Sequence, residues 1–113
     1  MAKDNSDKAQ MFAWAWGMFG DKNLRPVPEY EFDRALGRKH RFDWAFPDYR
    51  VAVEVDGGQW SKFGGRHNTD ADRDKRNLAA SLRWLVFYFS PDQIKRTPDK
   101  CAAIVWQAIK DSQ

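Results

Sequence analysis

Three carboxylates stand out in the stretch RFDWAFPDYRVAVEVDGG, residues 41–58. Phe42, Trp44 and Phe46 alternate with Asp43 and Ala45, and Val51, Val53 and Val55 alternate with Ala52, Glu54 and Asp56. Both are strand patterns, and Pro47-Asp48 predicts a tight turn between them. With Phe46 opposite Val51, Asp43 faces Glu54, and the period of two places Asp56 on the same face. Three like charges so close are costly unless a cation joins them. A hard divalent ion such as Mg²⁺ or Mn²⁺ suits an all-oxygen site, keeps several waters and acidifies them. The chemistry implied is phosphodiester hydrolysis, with Asp43, Glu54 and Asp56 as metal ligands. The competing arrangement is a solvent-facing edge hairpin with Arg50 or Arg41 neutralising the acids.

Further polar groups follow at 66–75. His67 can act as a general base or orient a water. Lys75 can place an ammonium beside a phosphate, or simply pair with Asp72 three residues earlier on a helix. Asp72 serves as a further ligand or as an acid favoured at a helix start. Arg66 is a phosphate-binding candidate. Arg38, Lys39, Arg41 and Lys62 are candidates for DNA backbone contact, which brings affinity and salt dependence but little base specificity.

The elements that must position these groups can be read from the pattern. A helix from Ser6 to about Phe19 carries apolar residues on more than one face, so both sides pack or one meets a partner chain. Phe12, Trp14, Trp16 and Phe19 raise the expectation of a homodimer. Glu29 to Phe32 reads as a short strand, and Gly37 permits positive φ in the basic turn that follows. From Thr69, DADRDKRNLAASL predicts a charged helix with Ala71, Leu78, Ala79 and Leu82 as its buried stripe. WLVFYF (84–89) predicts an apolar strand at a central position covered on both faces. A right-handed crossover through the charged helix would join it to Val51–Asp56. Ser90-Pro91-Asp92-Gln93 has the form of a capping box, and Thr97-Pro98 repeats a cap-plus-proline start. The final helix, about 98–110, gathers Ala102, Ile104, Val105, Ala108 and Ile109. The order predicts a single α/β domain over 1–113, a mixed sheet covered by helices.

Composition narrows the class. The chain has 113 residues, 19 Lys plus Arg against 16 Asp plus Glu, and a formal charge of +3. One cysteine cannot form an internal disulfide, and the polar start lacks a signal-peptide core. No apolar run reaches the length of a membrane span. A disulfide scaffold, a membrane protein and a coiled coil are poor fits, and a cytoplasmic protein is expected.

Taken together, RFDWAFPDYRVAVEVDGGQW, then GRH, then the DxxKxN of Asp72–Asn77, then RWLVFYF with PDQI, resemble the PD-(D/E)XK nuclease superfamily. Within it, the very-short-patch-repair-like endonucleases, including small phage proteins, are the most similar branch. The resemblance covers roughly residues 29–110. It implies a restriction-endonuclease-like core, a four-stranded mixed sheet flanked by helices, in a Mg²⁺-dependent DNA endonuclease of a bacterium or phage-infected cell. Asp43 and Glu54 match the acids of successive core strands, His67 the histidine after the glycine-rich turn, and Asp72 and Lys75 the acid and lysine of the next helix. Two positions depart from the pattern. The E-x-K motif reads Glu54-Val55-Asp56, so either Asp56 binds metal or Lys75 supplies the cation from the helix. No Glu lies in residues 8–19, which leaves Glu31 as the auxiliary acid. A dimeric Holliday junction resolvase and an inactive DNA-binding protein are the alternative readings.

Overall fold

The structure is a computed structural model that describes residues 7–56 and 69–112. Its elements are helix α1 (Asp7–Phe19), strands β1 (Val27–Glu31), β2 (Arg41–Phe46) and β3 (Val51–Val55), helix α2 (Asp70–Ser81), strand β4 (Leu85–Phe89), and helices α3 (Pro91–Arg96) and α4 (Pro98–Asp111). The four strands form one sheet in the order β1-β2-β3-β4. β1–β2 and β2–β3 are antiparallel, whereas β3 and β4 run parallel and are connected through α2. The mixed four-stranded sheet flanked by helices therefore agrees with the expected α/β class. Among the described residues no helix is long and apolar enough to cross a membrane.

The hairpin forms as the alternation predicts. Phe46 pairs with Val51, Ala45 with Ala52 and Trp44 with Val53. A 3₁₀ turn at Pro47–Tyr49 reverses the chain, and Arg50 closes it at φ 53°. That left-handed backbone is uncommon for a non-glycine residue. The Arg50 side chain also donates to the Leu82 carbonyl at 2.5 Å, which ties the turn to the end of α2.

Each face of the sheet has its own core. On one side Trp44, Phe46, Val51, Val53, Val55 and Phe89 pack against α1, α3 and α4 through Phe12, Ala15, Trp16, Ile94, Ala102, Val105 and Ile109. Full burial of such side chains contributes about 1.5–3 kcal/mol each. Two indole N–H groups are satisfied within this layer: Trp44 donates to Ala9 at 2.7 Å, and Trp16 to Leu24 at 2.9 Å. On the other side Phe42, Ala45, Ala52, Ala79 and Trp84 form a smaller cluster beneath α2. Phe42 stacks on Phe32 at 4.1 Å and meets Trp84 at 5.0 Å.

Several expectations need correction. Among the described residues β4 is an edge strand, not a central one, and Leu85 and Tyr88 are exposed. Its apolar run is long because Trp84, just before the strand, fills the smaller core. Phe42 does not share a face with Trp44 and Phe46, so the period of two changes phase across Asp43. α1 buries Ala9, Phe12, Ala15 and Trp16, while Trp14, Met18 and Phe19 remain exposed. Half of the aromatic residues behind the dimer expectation are thus core residues. Ala71 and Ile104 are exposed as well. α4 packs through Cys101, Ala102, Val105 and Ile109 instead.

The two Ser/Thr-Pro helix starts differ. Ser90 Oγ accepts from the Gln93 N–H at 3.0 Å, a true cap of α3. Thr97 makes no side-chain cap, because its hydroxyl donates backwards to the Gln93 carbonyl. Replacing Ser90 by Ala should therefore cost about 1 kcal/mol, as expected for a lost N-cap. Thr97→Ala should cost less than half as much. Urea denaturation of both variants checks this, and equal losses would contradict the assignment.

Candidate active site

The backbone ladder between β2 and β3 stops at Trp44–Val53, although each strand continues with its other neighbour. β2 pairs with β1 as far as Arg41, and β3 pairs with β4 as far as Val55. The two strands fork beyond this point, leaving backbone donors that must find partners. Carboxylates supply them. The Asp43 N–H donates to Glu54 Oε2 at 2.8 Å, and the Val55 N–H donates to Asp43 Oδ2 at 2.7 Å. Each acid thus bonds to the backbone across the fork, which fixes both side chains at the end of the hairpin.

Lys75 completes the cluster from α2. Its ammonium forms an ion pair with Glu54 Oε1 and lies 5.8 Å from the centroid of the Phe42 ring. The two side chains are only 24% and 17% exposed, so solvent screens their attraction less than that of a surface pair. The helix reaches this spot because Thr69 Oγ1 caps it, accepting from the Asp72 N–H at 3.2 Å. Lys75 then lies about one turn in, above the ends of β3 and β4. The alternative i,i+3 pairing of Lys75 with Asp72 is not formed.

Burial sets the electrostatics of both acids. It pushes the Asp43 carboxyl up, and Glu29 adds to that, while the Val55 N–H, Lys75 and Lys8 pull it down. Burial also pushes Glu54 up, aided by the charge of Asp43 and opposed by Lys75. Both directions favour the protonated acids, even with a lysine in contact.

The third expected carboxylate does not join them. Asp56 lies one residue beyond the end of β3, where the strand period no longer governs its side chain. It is exposed, and its N–H donates to the Phe89 carbonyl at 3.1 Å. Among the described residues no three His, Cys, Asp or Glu side chains assemble into a cation-binding group. The pair itself still fits a divalent ion by its chemistry. Both donors are hard oxygens, and burial opposes their charge, a cost that a cation would relieve. Mg²⁺ commonly uses one or two carboxylates and completes its shell with water and phosphate.

The remaining expected residues are dispersed. Glu31 is engaged by Arg41 at 3.4 Å and Arg34 at 3.9 Å. Asp72 is half-buried in the first turn of α2. Arg38, Lys39 and Arg41 line a concavity with Glu31, Arg34 and Gly37. Lys62, Arg66 and His67 lie outside the described residues.

Sequence reading missed Glu29, the Asp33–His40 pair and the Tyr88–Arg76 pair. Glu29 lies between the Pro28–Trp44 and Tyr30–Phe42 pairs, opposite Asp43, and adopts φ 51° inside a strand. Asp33 is buried and holds the basic turn closed, accepting from the His40 N–H at 3.0 Å and facing His40 Nδ1 at 2.6 Å. Tyr88 is the register partner of Glu54 on β4, and Arg76 stacks on it. Burial pushes the Tyr88 hydroxyl up, with Arg76 opposing. The available signals were an acid mid-strand, an Asp and a His seven residues apart around Gly37, and a lone hydroxyl in an apolar strand.

Comparison with known proteins supplies no relative: no family model, no curated protein and no solved structure matches the chain.

Two outcomes follow from the buried pair. Because the native carboxyls of Asp43 and Glu54 titrate above their unfolded values, the folded state binds more protons than the unfolded state between them. Their contribution is most favourable below the unfolded pKa and is lost as pH rises through the native one. Denaturation across the acidic range should show this slope in the wild type and a shallower one in Asp43→Asn/Glu54→Gln. At neutral pH, Mg²⁺ at ten times its Kd should stabilise the wild type by about 1.4 kcal/mol. An equal Mg²⁺ effect on the double variant would remove the pair as a cation site.

Proposed function

We propose that this chain is a metal-dependent DNA endonuclease of the PD-(D/E)XK kind. The observation that carries the reading is the meeting of Asp43, Glu54 and Lys75 at the forked end of a β-hairpin, beneath the helix that follows it. Two acids on adjacent strands with one cation from a helix form a compact site for a polyanionic substrate. The mixed sheet and the order of its elements agree with this reading.

Asp43 and Glu54 would hold a divalent cation, which when bound supplies Lewis-acid polarisation of the scissile phosphate and lowers the pKa of a bound water. Hydrolysis forms a bond from water oxygen to phosphorus and breaks one ester P–O bond, leaving a phosphomonoester and a hydroxyl. Negative charge builds on the phosphoryl oxygens as this proceeds. Lys75 stands at the same carboxylate and would stabilise that charge, taking the place of a strand lysine. Its salt bridge with Glu54 holds the ammonium in position before substrate arrives. His67 is the residue assigned to receive the proton of the attacking water.

Substrate binding falls to the basic turn. Arg38 and Lys39 are exposed on the segment clamped by Asp33 and His40, with Arg41 at the start of β2. Arg41 also pairs with Glu29 at 3.5 Å, linking the turn to the strand beside Asp43. Backbone phosphates bound here would position a duplex without reading its bases.

Cleavage of labelled duplex, nicked, mismatched and four-way DNA in Mg²⁺, with EDTA as control, tests the reading. The wild type should cut at least one substrate, and Asp43→Asn should bind but not cut. Lys75→Met should lower the single-turnover rate by about 100-fold or more, the range for losing one transition-state donor. Binding without any cleavage would favour the inactive DNA-binding protein. Full activity in Lys75→Met would remove the lysine from catalysis.

A further inference from the structure

The site has a second cationic group that the reaction above does not use. Glu54 and Tyr88 are register partners on the parallel strands β3 and β4. Such neighbours place their side chains on the same face. Tyr88 is 40% exposed on β4, the last strand in the order of the sheet. The Arg76 guanidinium lies over its ring, 4.6 Å from the centroid. Arg76 follows Lys75 in α2, so one turn of helix places one cation on Glu54 and the next on the side chain beside Glu54. Arg76 is exposed, and among the described residues its guanidinium forms no ion pair with a carboxylate.

These features differ from an ordinary surface arginine in two respects. The guanidinium is held by a cation–π contact, which leaves its in-plane N–H donors available, and a planar fork suits phosphate oxygens. Its position is also set relative to the acids, through the Glu54–Tyr88 register and the shared helix turn. The ends of parallel strands beneath a helix N-terminal half are also where open α/β sheets tend to admit ligands.

We infer that Arg76, positioned by Tyr88, binds a backbone phosphate of the DNA strand next to the scissile one. This rests on the nuclease reading and extends it to the edge of the sheet. The substrate strand would then run from the basic turn at 34–41, past Asp43 and Glu54, to the β4 edge. Arg76 touches substrate under this proposal, while Tyr88 acts only through Arg76.

Fluorescence anisotropy with a labelled DNA duplex, in EDTA and over a range of salt, tests this without reliance on cleavage. Arg76→Ala should weaken binding about tenfold, and the slope of log K against log[salt] should fall by about 0.9, the value for one lost phosphate contact. Arg76→Lys should keep the slope and lose part of the affinity. Tyr88→Phe should behave as wild type, because the ring remains. Tyr88→Leu should weaken binding about threefold alone and have no further effect once Arg76 is Ala, the coupling expected of a positioning residue. A wild type that binds DNA with Arg76→Ala unchanged in affinity and slope overturns the inference and leaves the nuclease reading standing. A wild type that binds no DNA at any salt overturns both.

Discussion

The fork between β2 and β3 is the constraint from which the candidate site follows. Each strand must keep its other neighbour, yet the two separate after Trp44–Val53 and expose backbone N–H groups at a half-buried position. Leaving such a donor unsatisfied costs about 1–3 kcal/mol. Asp43 and Glu54 each accept one of these hydrogen bonds across the gap. The same exchange keeps two acids close together in a poorly solvated place, where both resist ionisation. Closing the fork thus creates a local demand for positive charge. Lys75 meets part of it, and the remainder suits a hard cation.

The two faces of the sheet differ in how much of the core they carry. The side under α1, α3 and α4 is thick, aromatic and continuous, and its buried indoles find backbone acceptors. The side under α2 is thin. Only Ala79 of that helix is buried, and Phe42 and Trp84 fill the space beneath it. A helix with so small an apolar contact can devote its first two turns to charged residues. Asp72, Lys75 and Arg76 all belong to that segment, over the ends of β3 and β4. Core packing on one face supports a strained polar arrangement on the other, the usual relation between a scaffold and a site.

Strain collects around the same region. Glu29 holds φ 51° opposite Asp43, and the strand alternation changes phase between Phe42 and Trp44. A left-handed non-glycine residue within a strand costs of order 1–3 kcal/mol and persists only where its surroundings enforce it. Here the surroundings are the Glu29–Arg41 ion pair and the ring of Phe32, just after β1, stacked on Phe42 of β2. The effect is to turn the end of the hairpin so that Phe42 packs beneath α2, against the Lys75 side chain.

By itself the sequence determined the hairpin and its register, because the alternation of Trp44 and Phe46 with that over 51–55 admits one pairing that buries both apolar sets. It also determined the charged helix after Thr69 and the Ser90 cap, since capping chemistry is local. The Asp43–Glu54 opposition followed from that register. What required tertiary structure was most of the relations between segments distant in the chain, the parallel β3–β4 crossover and the approach of Lys75 to the acids excepted. The edge position of β4 depends on the number and order of strands, which its apolar run does not encode. The loss of Asp56 from the acidic pair depends on β3 ending at Val55, one residue earlier than the alternation suggests. Glu29 opposite Asp43, and Tyr88 beside Glu54 beneath Arg76, arise from pairing across the sheet and from the placement of α2. Local spacing can say which residues share a face of one element. Only the packed sheet decides which elements share that face, because the pairing is set by the summed burial of both cores rather than by any one segment.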